Sequence, residues 1–413
     1  MKKSYWSGFL SGVLCTILCF ILGVNGYQIV INRTAQHSTD DTKSTTESTE
    51  TKTTKISAIN VLAKVSVLQK YIDTYYLNDI SGKDLEDGIY KGIIKGLGDP
   101  YSTYYTKDEY NSLQESTSGI YCGIGAYVSQ DVNTGIVTIV QPFEGGPADN
   151  AGILPGDIIY KIEGEEVTGK DLPEVVARMK GEEGTKVSLT VIRNNKEMHF
   201  DVTRNKVETP TVVYQMLDGN IGYIRVTTFD EVTAHQYRLA LDDLEQQGEK
   251  GLIVDLRNNG GGRLTAVVDM LDRMLPEGVI VSTKEKSGGG ETYNSTDEEK
   301  FEKPFAVLIN GNSASASEVF AGAIQDYGIG ELIGTTSFGK GIVQTIFGLN
   351  DGTAVKLTTS EYFTPKGRNI HGTGLTPDIS VDLTEEQKKK ININKDEDNQ
   401  LQTAIKEIEK GIK

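Results

Sequence analysis

Residues 305–326 read FAVLINGNSASASEVFAGAIQD, and this segment decides the fold class. The apolar run Phe305–Ile309 predicts a buried strand, and the apolar spacing that follows predicts a helix. A polar turn joins the two, and its three alternating serines are Ser313, Ser315 and Ser317. Strand, turn and helix in this order are typical of an α/β layer.

The same alternation continues on both sides of this segment. Apolar strands such as IGYIRVTTF, GLIVDLRNN and TAVKLTTSEYF alternate with helical stretches such as GRLTAVVDMLDRML. We therefore predict an α/β core over residues 207–384. A charged tail follows over residues 385–413 and is expected to end as a helix.

A serine at a helix N-terminus is well placed for nucleophilic attack. The N–H of the following residue can stabilise the tetrahedral intermediate, and the helix end carries partial positive charge. Serine is also a frequent helix N-cap. Three serines exceed what one cap requires, but their spacing does not show which is the cap and which the nucleophile.

Lys340 is the candidate general base. It is flanked by Gly339 and Gly341 and has no acidic residue four positions away. Only about 0.04% of an unperturbed lysine is neutral at pH 7, so a basic role requires burial that lowers the pKa by roughly three units. Gln344 lies four residues further on, an interval that favours the same face, and its amide oxygen could orient the amine.

Several other chemistries are disfavoured. A Ser-His-Asp triad fits poorly because GxSxG is absent and only His371 could compete as a base. No HExxH or Cys/His cluster is present, so we expect neither metal nor cofactor. Cys122 is the only cysteine outside the apolar N-terminal run, which excludes a disulfide framework, and a net charge of -16 argues against nucleic-acid binding.

A β-rich segment precedes the core over residues 117–206, with five short runs of period two and one helix candidate, LPEVVARMK. The glycines of YCGIGAYV would let successive backbone N–H groups converge on a peptide carboxylate. The following strand edge could bind an extended peptide, and the helix would line an apolar pocket. The candidate peptide-binding residues are Gly123, Ile124, Gly125, Ala126, Leu172 and Val176.

Residues 121–204, with the strings GGPADNAG and LPGDII, resemble a PDZ domain of the kind attached to bacterial proteases. The resemblance implies a module that captures the C-termini of protein or peptide substrates. The pocket lined by the helix favours substrates with apolar C-termini.

The N-terminal region predicts an export segment and a tether. Residues 6–24 are apolar and follow two lysines, which favours a single membrane-spanning helix within residues 1–33 and an extracytoplasmic body. A cleaved signal peptide, giving a secreted protein, is the alternative. In residues 34–55, 12 of 22 residues are Ser or Thr, so this segment is expected to be a linker.

Helical periodicity over residues 56–116 predicts a small N-terminal helical domain, with Leu62, Val65, Leu68 and Ile72 on one face. This domain and the charged tail are both amphipathic, and neither contains candidate chemistry. We therefore expect them to mediate self-association, giving a homodimer.

Five strings in order resemble the carboxyl-terminal processing peptidases, or tail-specific proteases, which use a Ser-Lys dyad. They are DPYSTYYTKDEY, DLRNNGGGRL, NGNSASASEVFAGAIQD, SFGKGIVQT and LTTSEYFTPKGRNIHGTGLTPD, and the resemblance extends over residues 56–383. It implies Ser315 as nucleophile, Lys340 as general base and Gln344 as the residue that orients the base.

The oxyanion hole implied by the resemblance combines the backbone N–H groups of Ala316 and Gly261. Gly260 departs from the family pattern, which commonly has proline there. Five charged residues near these motifs are interpreted as structural ion pairs or caps rather than as catalytic groups. They are Asp255, Arg257, Glu318, Asp326 and Arg368.

The predicted architecture is a ClpP/crotonase-like α/β peptidase core with an inserted PDZ domain and an N-terminal helical domain, preceded by one transmembrane helix. The predicted activity is cleavage of peptide bonds through an acyl-enzyme. Two alternatives are a catalytically silent PDZ scaffold that binds partner C-termini and an acyl-CoA enzyme. Export away from CoA disfavours the second of these.

Overall fold

The computed structural model describes residues 55–296, 300–390 and 393–412. The predicted membrane anchor and nearly all of the Ser/Thr-rich linker lie outside the described residues. Within the part that is described, no helix combines the length and apolarity needed to cross a bilayer. The chain divides into two compact units, the first ending at Asp79 and the second beginning at Ile80.

The first unit contains helix α1 (Ala58–Tyr75), which confirms helical structure in this stretch. The hydroxyl of Ser57 caps its N-terminus by accepting the N–H of Asn60. The second unit begins with helix α2 (Gly82–Lys95), strand β1 (Thr103–Tyr105) and helix α3 (Lys107–Ser118). Thr106 and Glu109 form a capping box at the start of α3.

The remaining helices are α4 (Pro147–Asn150), α5 (Leu172–Met179), α6 (Thr233–Gln246), α7 (Leu264–Asp272), α8 (Ala316–Tyr327) and α9 (Asn399–Gly411). The remaining strands are β2 (Ile120–Gly123), β3 (Ala126–Gln130), β4 (Val137–Pro142), β5 (Ile158–Ile162), β6 (Glu165–Glu166), β7 (Lys186–Arg193), β8 (Lys196–Thr203), β9 (Asn205–Glu208), β10 (Val212–Leu217), β11 (Ile221–Val226), β12 (Gly251–Asp255), β13 (Gly278–Glu285), β14 (Thr292–Ser295), β15 (Phe305–Ile309), β16 (Glu331–Gly334), β17 (Ile342–Gly348), β18 (Ala354–Phe363) and β19 (Ile379–Ser380).

The central sheet of the α/β core has the strand order β10-β11-β12-β15-β16-β19. β10 runs antiparallel to β11, and the other neighbours are parallel. Every residue of β12 and β15 is buried, as expected for parallel strands covered on both faces. The strand predicted at 305–309 is therefore found at the centre of the sheet.

Helices cover both faces of this sheet. Apolar side chains of α6, α7 and α8 form the main core on one face. On the other face, α9 buries Leu401, Ala404 and Ile408 against Ile253 and Leu308. The expectation that the tail mediates self-association is therefore wrong for this apolar face, because the chain's own sheet already covers it.

A second, smaller sheet has the order β1-β18-β13-β14, with β17 also paired to β18. Thr103 of β1 lies opposite Lys356 of β18, and Tyr105 lies opposite Ala354. Residues 56–116, predicted as a helical domain, thus also contribute a strand to the body of the second unit. Threonine and tyrosine favour strands, and this TYY strand follows the Gly-Asp-Pro turn at which the helical pattern ends.

The β-rich segment folds as a six-stranded antiparallel sheet, in which β3-β4-β5-β7-β8 are neighbours in this order and β6 also pairs with β5. Its fully buried side chains include Ile139, Leu189 and Val202, against which Val175 of α5 packs. The pair β2-β9 lies at the two ends of the segment. The five predicted strands and the predicted helix are all present.

Candidate active site

Ser315 occupies the turn between β15 and α8, immediately before the first residue of the helix. Its backbone has φ 57° and ψ -116°, a conformation that an L-residue with a Cβ rarely adopts. Such strain persists only where the surrounding structure imposes it, and it is concentrated at functional sites. No local sequence pattern indicates this conformation.

The structure distinguishes the three alternating serines. The hydroxyl of Ser313 donates to the carbonyl of Leu256 over 2.8 Å, and that of Ser317 donates to the carbonyl of Asn259 over 2.8 Å. Both serines are fully buried and fix the turn to the end of β12. Among the residues described, the hydroxyl of Ser315 donates to no protein group, and the residue is half-exposed. Ser315 is therefore the serine whose hydroxyl is available to a substrate.

The two predicted oxyanion donors lie next to each other. As the first residue of α8, Ala316 has a backbone N–H without an intrahelical acceptor. A Cβ on Gly261 would lie 2.9 Å from the nitrogen of Ala316, which shows how closely the glycine loop approaches the nucleophile. However, the N–H of Gly261 donates to Oδ1 of Asn259 over 2.9 Å, so in this conformation that donor is already engaged.

Lys340 lies in the loop before β17 and is half-buried. Its Nζ lies 4.7 Å from the centroid of the Tyr101 ring. Burial is the main cause that lowers the pKa of Lys340, and the charge of Lys356 adds to it, whereas the carboxylates of Asp99 and Glu318 oppose the change. The direction of this shift is the one that a lysine base requires.

Gln344 lies on β17, opposite Thr358 of β18. Its Nε2 donates to the Thr358 hydroxyl over 3.4 Å. In the described part of the chain, no hydrogen bond joins Lys340 Nζ to Ser315 or to Gln344. The fold thus brings the segments of all three predicted residues together, while the side chains are not engaged with one another in this conformation.

The carboxylate of Glu318 connects the segment of Ser315 to the segment of Lys340. It is fully buried and accepts the backbone N–H groups of Ser315, Gly339 and Lys340 over 2.9, 2.7 and 2.8 Å. It also accepts the hydroxyl of Ser337 over 2.6 Å. Sequence reasoning treated Glu318 only as a cap or ion pair and missed this second set of contacts. The sole signal was its position three residues after Ser315.

The other charged residues near the motifs form structural pairs. Arg257 contacts Asp255 over 2.6 Å and Asp398 over 2.8 Å, which ties the start of α9 to the end of β12. Arg368 contacts the nearly buried Asp326 over 2.5 Å. These contacts agree with their interpretation as ion pairs.

A cavity of about 550 Å³ lies between β3 and α5. Four of the six predicted peptide-binding residues line it, namely Ile124, Ala126, Leu172 and Val176. Gly123 and Gly125 are not among the lining residues. Gly123 ends β2, where it pairs with Asn205, and the carbonyl of Gly125 accepts the N–H of Phe143.

Polar groups lie at one side of this cavity. Lys180 Nζ contacts Glu115 of α3 over 2.8 Å and lies 5.0 Å from the centroid of the Tyr121 ring. Burial raises the pKa of Tyr121 to about 12. Burial also raises the pKa of the neighbouring Cys122 thiol, which agrees with its having no assigned chemistry.

Comparison with known proteins identifies the families to which the parts of the chain are similar. The profile of Peptidase family S41 matches residues 220–381, that of the PDZ domain matches residues 138–193, and that of the activating protease CtpB N-terminal domain matches residues 20–109. The central sheet, the strained serine and the domain with the apolar cavity therefore belong to a serine-type peptidase that carries a PDZ domain.

Among similar proteins is the carboxy-terminal processing protease CtpA of Bacillus subtilis (strain 168), which is 38% identical over 322 residues, covering 78% of this chain and 69% of the relative. A probable CtpA-like serine protease of Staphylococcus aureus (strain MRSA252) is 36% identical over 329 residues, covering 79% of this chain and 66% of the relative. The chain thus spans about two thirds of the length of these relatives. It belongs to the carboxyl-terminal processing peptidases.

A solved structure of a photosystem II D1 C-terminal processing protease is also similar, with 28% identity, a TM-score of 0.46 and coverage of 78% of this chain and 88% of that one. Membership in a peptidase family favours the peptidase hypothesis over the scaffold and acyl-CoA alternatives.

Proposed function

We propose that the protein cleaves peptide bonds of substrates captured by their C-termini, using Ser315 as nucleophile and Lys340 as general base. One observation carries the assignment of the nucleophile. Of the three alternating serines, only Ser315 combines a strained backbone with a hydroxyl that donates to no group among the described residues.

In the proposed reaction, neutral Lys340 takes the proton of the Ser315 hydroxyl while Oγ forms a bond to the substrate carbonyl carbon. The resulting ammonium gives this proton to the leaving amine as the C–N bond breaks, leaving an acyl ester on Ser315. Water then attacks the ester, Lys340 again accepts and returns a proton, and Ser315 regains its hydroxyl. Gln344 would orient the amine during both steps.

The negative charge that develops on the carbonyl oxygen needs donors. The free N–H of Ala316 supports its assignment to this role. Gly261 can contribute only after its N–H leaves Asn259. The engaged donor and the separated side chains of the dyad both indicate that the site rearranges before it turns over.

The test compares Ser315→Ala, Lys340→Ala and Ser313→Ala on a protein substrate with an apolar C-terminus, with products identified by mass spectrometry. The first two variants should lose cleavage while unfolding like the wild type. Ser313→Ala is the matched control, because it removes a buried structural bond and should lower stability while leaving the chemistry intact. Cleavage by Ser315→Ala would refute the assignment, and a mass adduct on Ser315 during turnover would support the acyl-enzyme.

We further propose that substrate C-termini bind the cavity between β3 and α5 through its apolar lining. Val176→Asp, which places a charge in this lining, should raise KM for an apolar C-terminus. Glu174→Gln is the control, because Glu174 lies on the same helix at the surface, where its carboxylate pairs with Lys170 and Arg178. An unchanged KM for Val176→Asp would contradict this assignment.

Location and assembly are also proposals. The apolar segment at residues 6–24 supports a single-pass membrane protein with an extracytoplasmic catalytic body, or a secreted protein if that segment is removed. The mass of the N-terminal peptide of the mature protein distinguishes the two. The apolar face of α1 supports a homodimer, and a monomeric mass by light scattering of the full chain in detergent would refute it.

A further inference from the structure

The segment from Asp99 to Ser102, which we call the Asp99 loop, lies against the strands that carry the proposed site. Asp99 accepts the N–H of Tyr101 over 3.0 Å and the hydroxyl of Ser102 over 2.5 Å. The Ser102 oxygen in turn accepts the N–H of Thr358 over 3.1 Å. The loop is thereby fixed in place, and the pairing of β1 with β18 holds its C-terminal end.

The side chain of Thr358 continues this connection to Gln344, whose Nε2 donates to it. The position of Tyr101 near Lys340 is therefore fixed by these contacts and is not that of a free surface loop. It is held there by the strand pair that also carries the proposed orienting residue.

Lys340 Nζ lies over the ring of Tyr101, with 4.7 Å to its centroid, and no hydrogen bond or ion pair to Nζ is formed by the residues that the structure describes. The face of an aromatic ring attracts a cation but offers little to a neutral amine. Burial is the main cause that lowers the pKa of Lys340, and the charge of Lys356 adds to this effect, whereas the carboxylates of Asp99 and Glu318 favour the ammonium form. The ring and the two carboxylates thus act in the same direction.

A general base must be neutral and must reach the hydroxyl whose proton it takes. In the position over the ring, Nζ makes no hydrogen bond to the Ser315 hydroxyl within the described part of the chain, and the ring and the two carboxylates favour the charged form against the effect of burial. We propose that Tyr101 is a rest position for Lys340, which holds the ammonium in the free enzyme and which the side chain leaves when it becomes the neutral base. This inference rests on the proposed role of Lys340, and it makes Tyr101 a positioning residue that competes with the dyad rather than one that touches substrate.

The rest position has a specific kinetic consequence. Removing the ring destabilises only the charged form, so less alkaline conditions should suffice to neutralise Lys340. The acid limb of kcat/KM should move to lower pH while the plateau at high pH stays unchanged. The strength of cation–π contacts corresponds to about a 2- to 30-fold gain in kcat/KM at a pH below the limb.

The experiment measures kcat/KM against pH for the wild type, Tyr101→Leu, Tyr101→Met and Tyr101→Phe. The Leu and Met variants remove the ring and should show the shift, whereas Tyr101→Phe keeps the ring face and should match the wild type. Tyr160→Leu is the matched control, since the ring of Tyr160 lies 4.6 Å from Nζ of Lys161 on β5 of the β-rich domain rather than at the proposed site, and this variant should also match the wild type.

Thermal unfolding of each variant identifies any that fail to fold, and the Met variant keeps the test open if Tyr101→Leu is one of them. An unmoved acid limb, or one that moves to higher pH, in the folded ring-free variants overturns the rest position. Lys340→Ala is assayed in parallel. If it remains active, the base assignment itself fails; if it is inactive while the limb stays in place, only the role of Tyr101 fails.

Discussion

The backbone N–H of Ser315 donates to Oε2 of Glu318 over 2.9 Å. The same oxygen accepts the N–H of Lys340, so one carboxylate atom fixes the main chain of the proposed nucleophile relative to that of the proposed base. The contact is more than a helix cap, because it spans two segments that are separate in sequence.

Glu318→Gln should lower kcat by about 10- to 100-fold with a smaller change in KM. The new amide NH₂ would face backbone N–H donors, and a displacement near 1 Å in an active site costs about 100-fold. The loss of charge should also lower the pKa of Lys340, since Glu318 raises it, and so shift the acid limb to lower pH. A pH profile of steady-state kinetics measures both effects.

Ser337→Ala is the control for this variant. It removes one hydroxyl donor but leaves the carboxylate and its three backbone donors in place. It should therefore leave the pH limb unmoved. Wild-type kcat in Glu318→Gln would contradict the connecting role.

Gly261→Ala should inactivate the enzyme and lower the free energy of unfolding by about 1–3 kcal/mol. The added Cβ would lie 2.6 Å from the carbonyl oxygen of Ala314 and 2.8 Å from Cβ of Ser315, and the backbone φ of +100° is itself unfavourable for alanine. Urea unfolding and a cleavage assay measure the two effects. Gly260→Ala has open space around its Cβ and should behave as the wild type; equal damage in both variants would refute the argument.

Lys356→Gln should raise the pH that the enzyme needs for full activity. The positive charge of Lys356 lowers the pKa of Lys340, so its removal raises that pKa and leaves less neutral amine at any pH below the plateau. The acid limb of kcat/KM therefore moves to higher pH, opposite to the shift expected for Tyr101→Leu. Lys388→Gln, whose lysine pairs with Asp382 at the surface, should not move the limb. An unchanged acid limb in Lys356→Gln would show that the charge of Lys356 does not affect the pKa of Lys340.

Ile408→Ala should lower the free energy of unfolding by about 2–5 kcal/mol, because its side chain is 2% exposed and packs beneath α9. The mass of the assembled protein by light scattering should not change, since this face is covered within one chain. Lys410→Ala, on the exposed side of the same helix, should alter stability by less than about 1 kcal/mol. Dissociation of a dimer by Ile408→Ala without loss of stability would contradict the packing.

The strand at 305–309, the serine turn and the β-rich domain could be predicted because their signals are local. Each consists of an apolar run or an alternation that a short stretch of sequence contains in full. The choice among the three serines could not be made by spacing. It depends on which hydroxyls reach the carbonyls of Leu256 and Asn259, and those residues lie in the segment that follows a different strand, β12.

The least predictable features join distant parts of the chain. The contact of Tyr101 with Lys340 depends on the pairing of β1 with β18, and nothing in the local pattern of either residue indicates it. Whether the N–H of Gly261 is hydrogen-bonded within the protein depends on the rotamer of Asn259. The candidate catalytic residues could be identified from residue type and order. The contacts that their side chains and backbone groups make could be known only from the packed structure.

The backbone conformation at Ser315 lowers the stability of the folded protein at the residue proposed to carry its activity. A glycine there would adopt φ 57° without a Cβ penalty, and relief of that strain, less the greater freedom of an unfolded glycine, should leave a net gain of about 1 kcal/mol. Ser315→Gly should thus melt at a higher temperature than the wild type and cleave nothing. Any laboratory selection of this protein for heat resistance alone would favour loss of the proposed nucleophile, so such a selection must measure turnover as well.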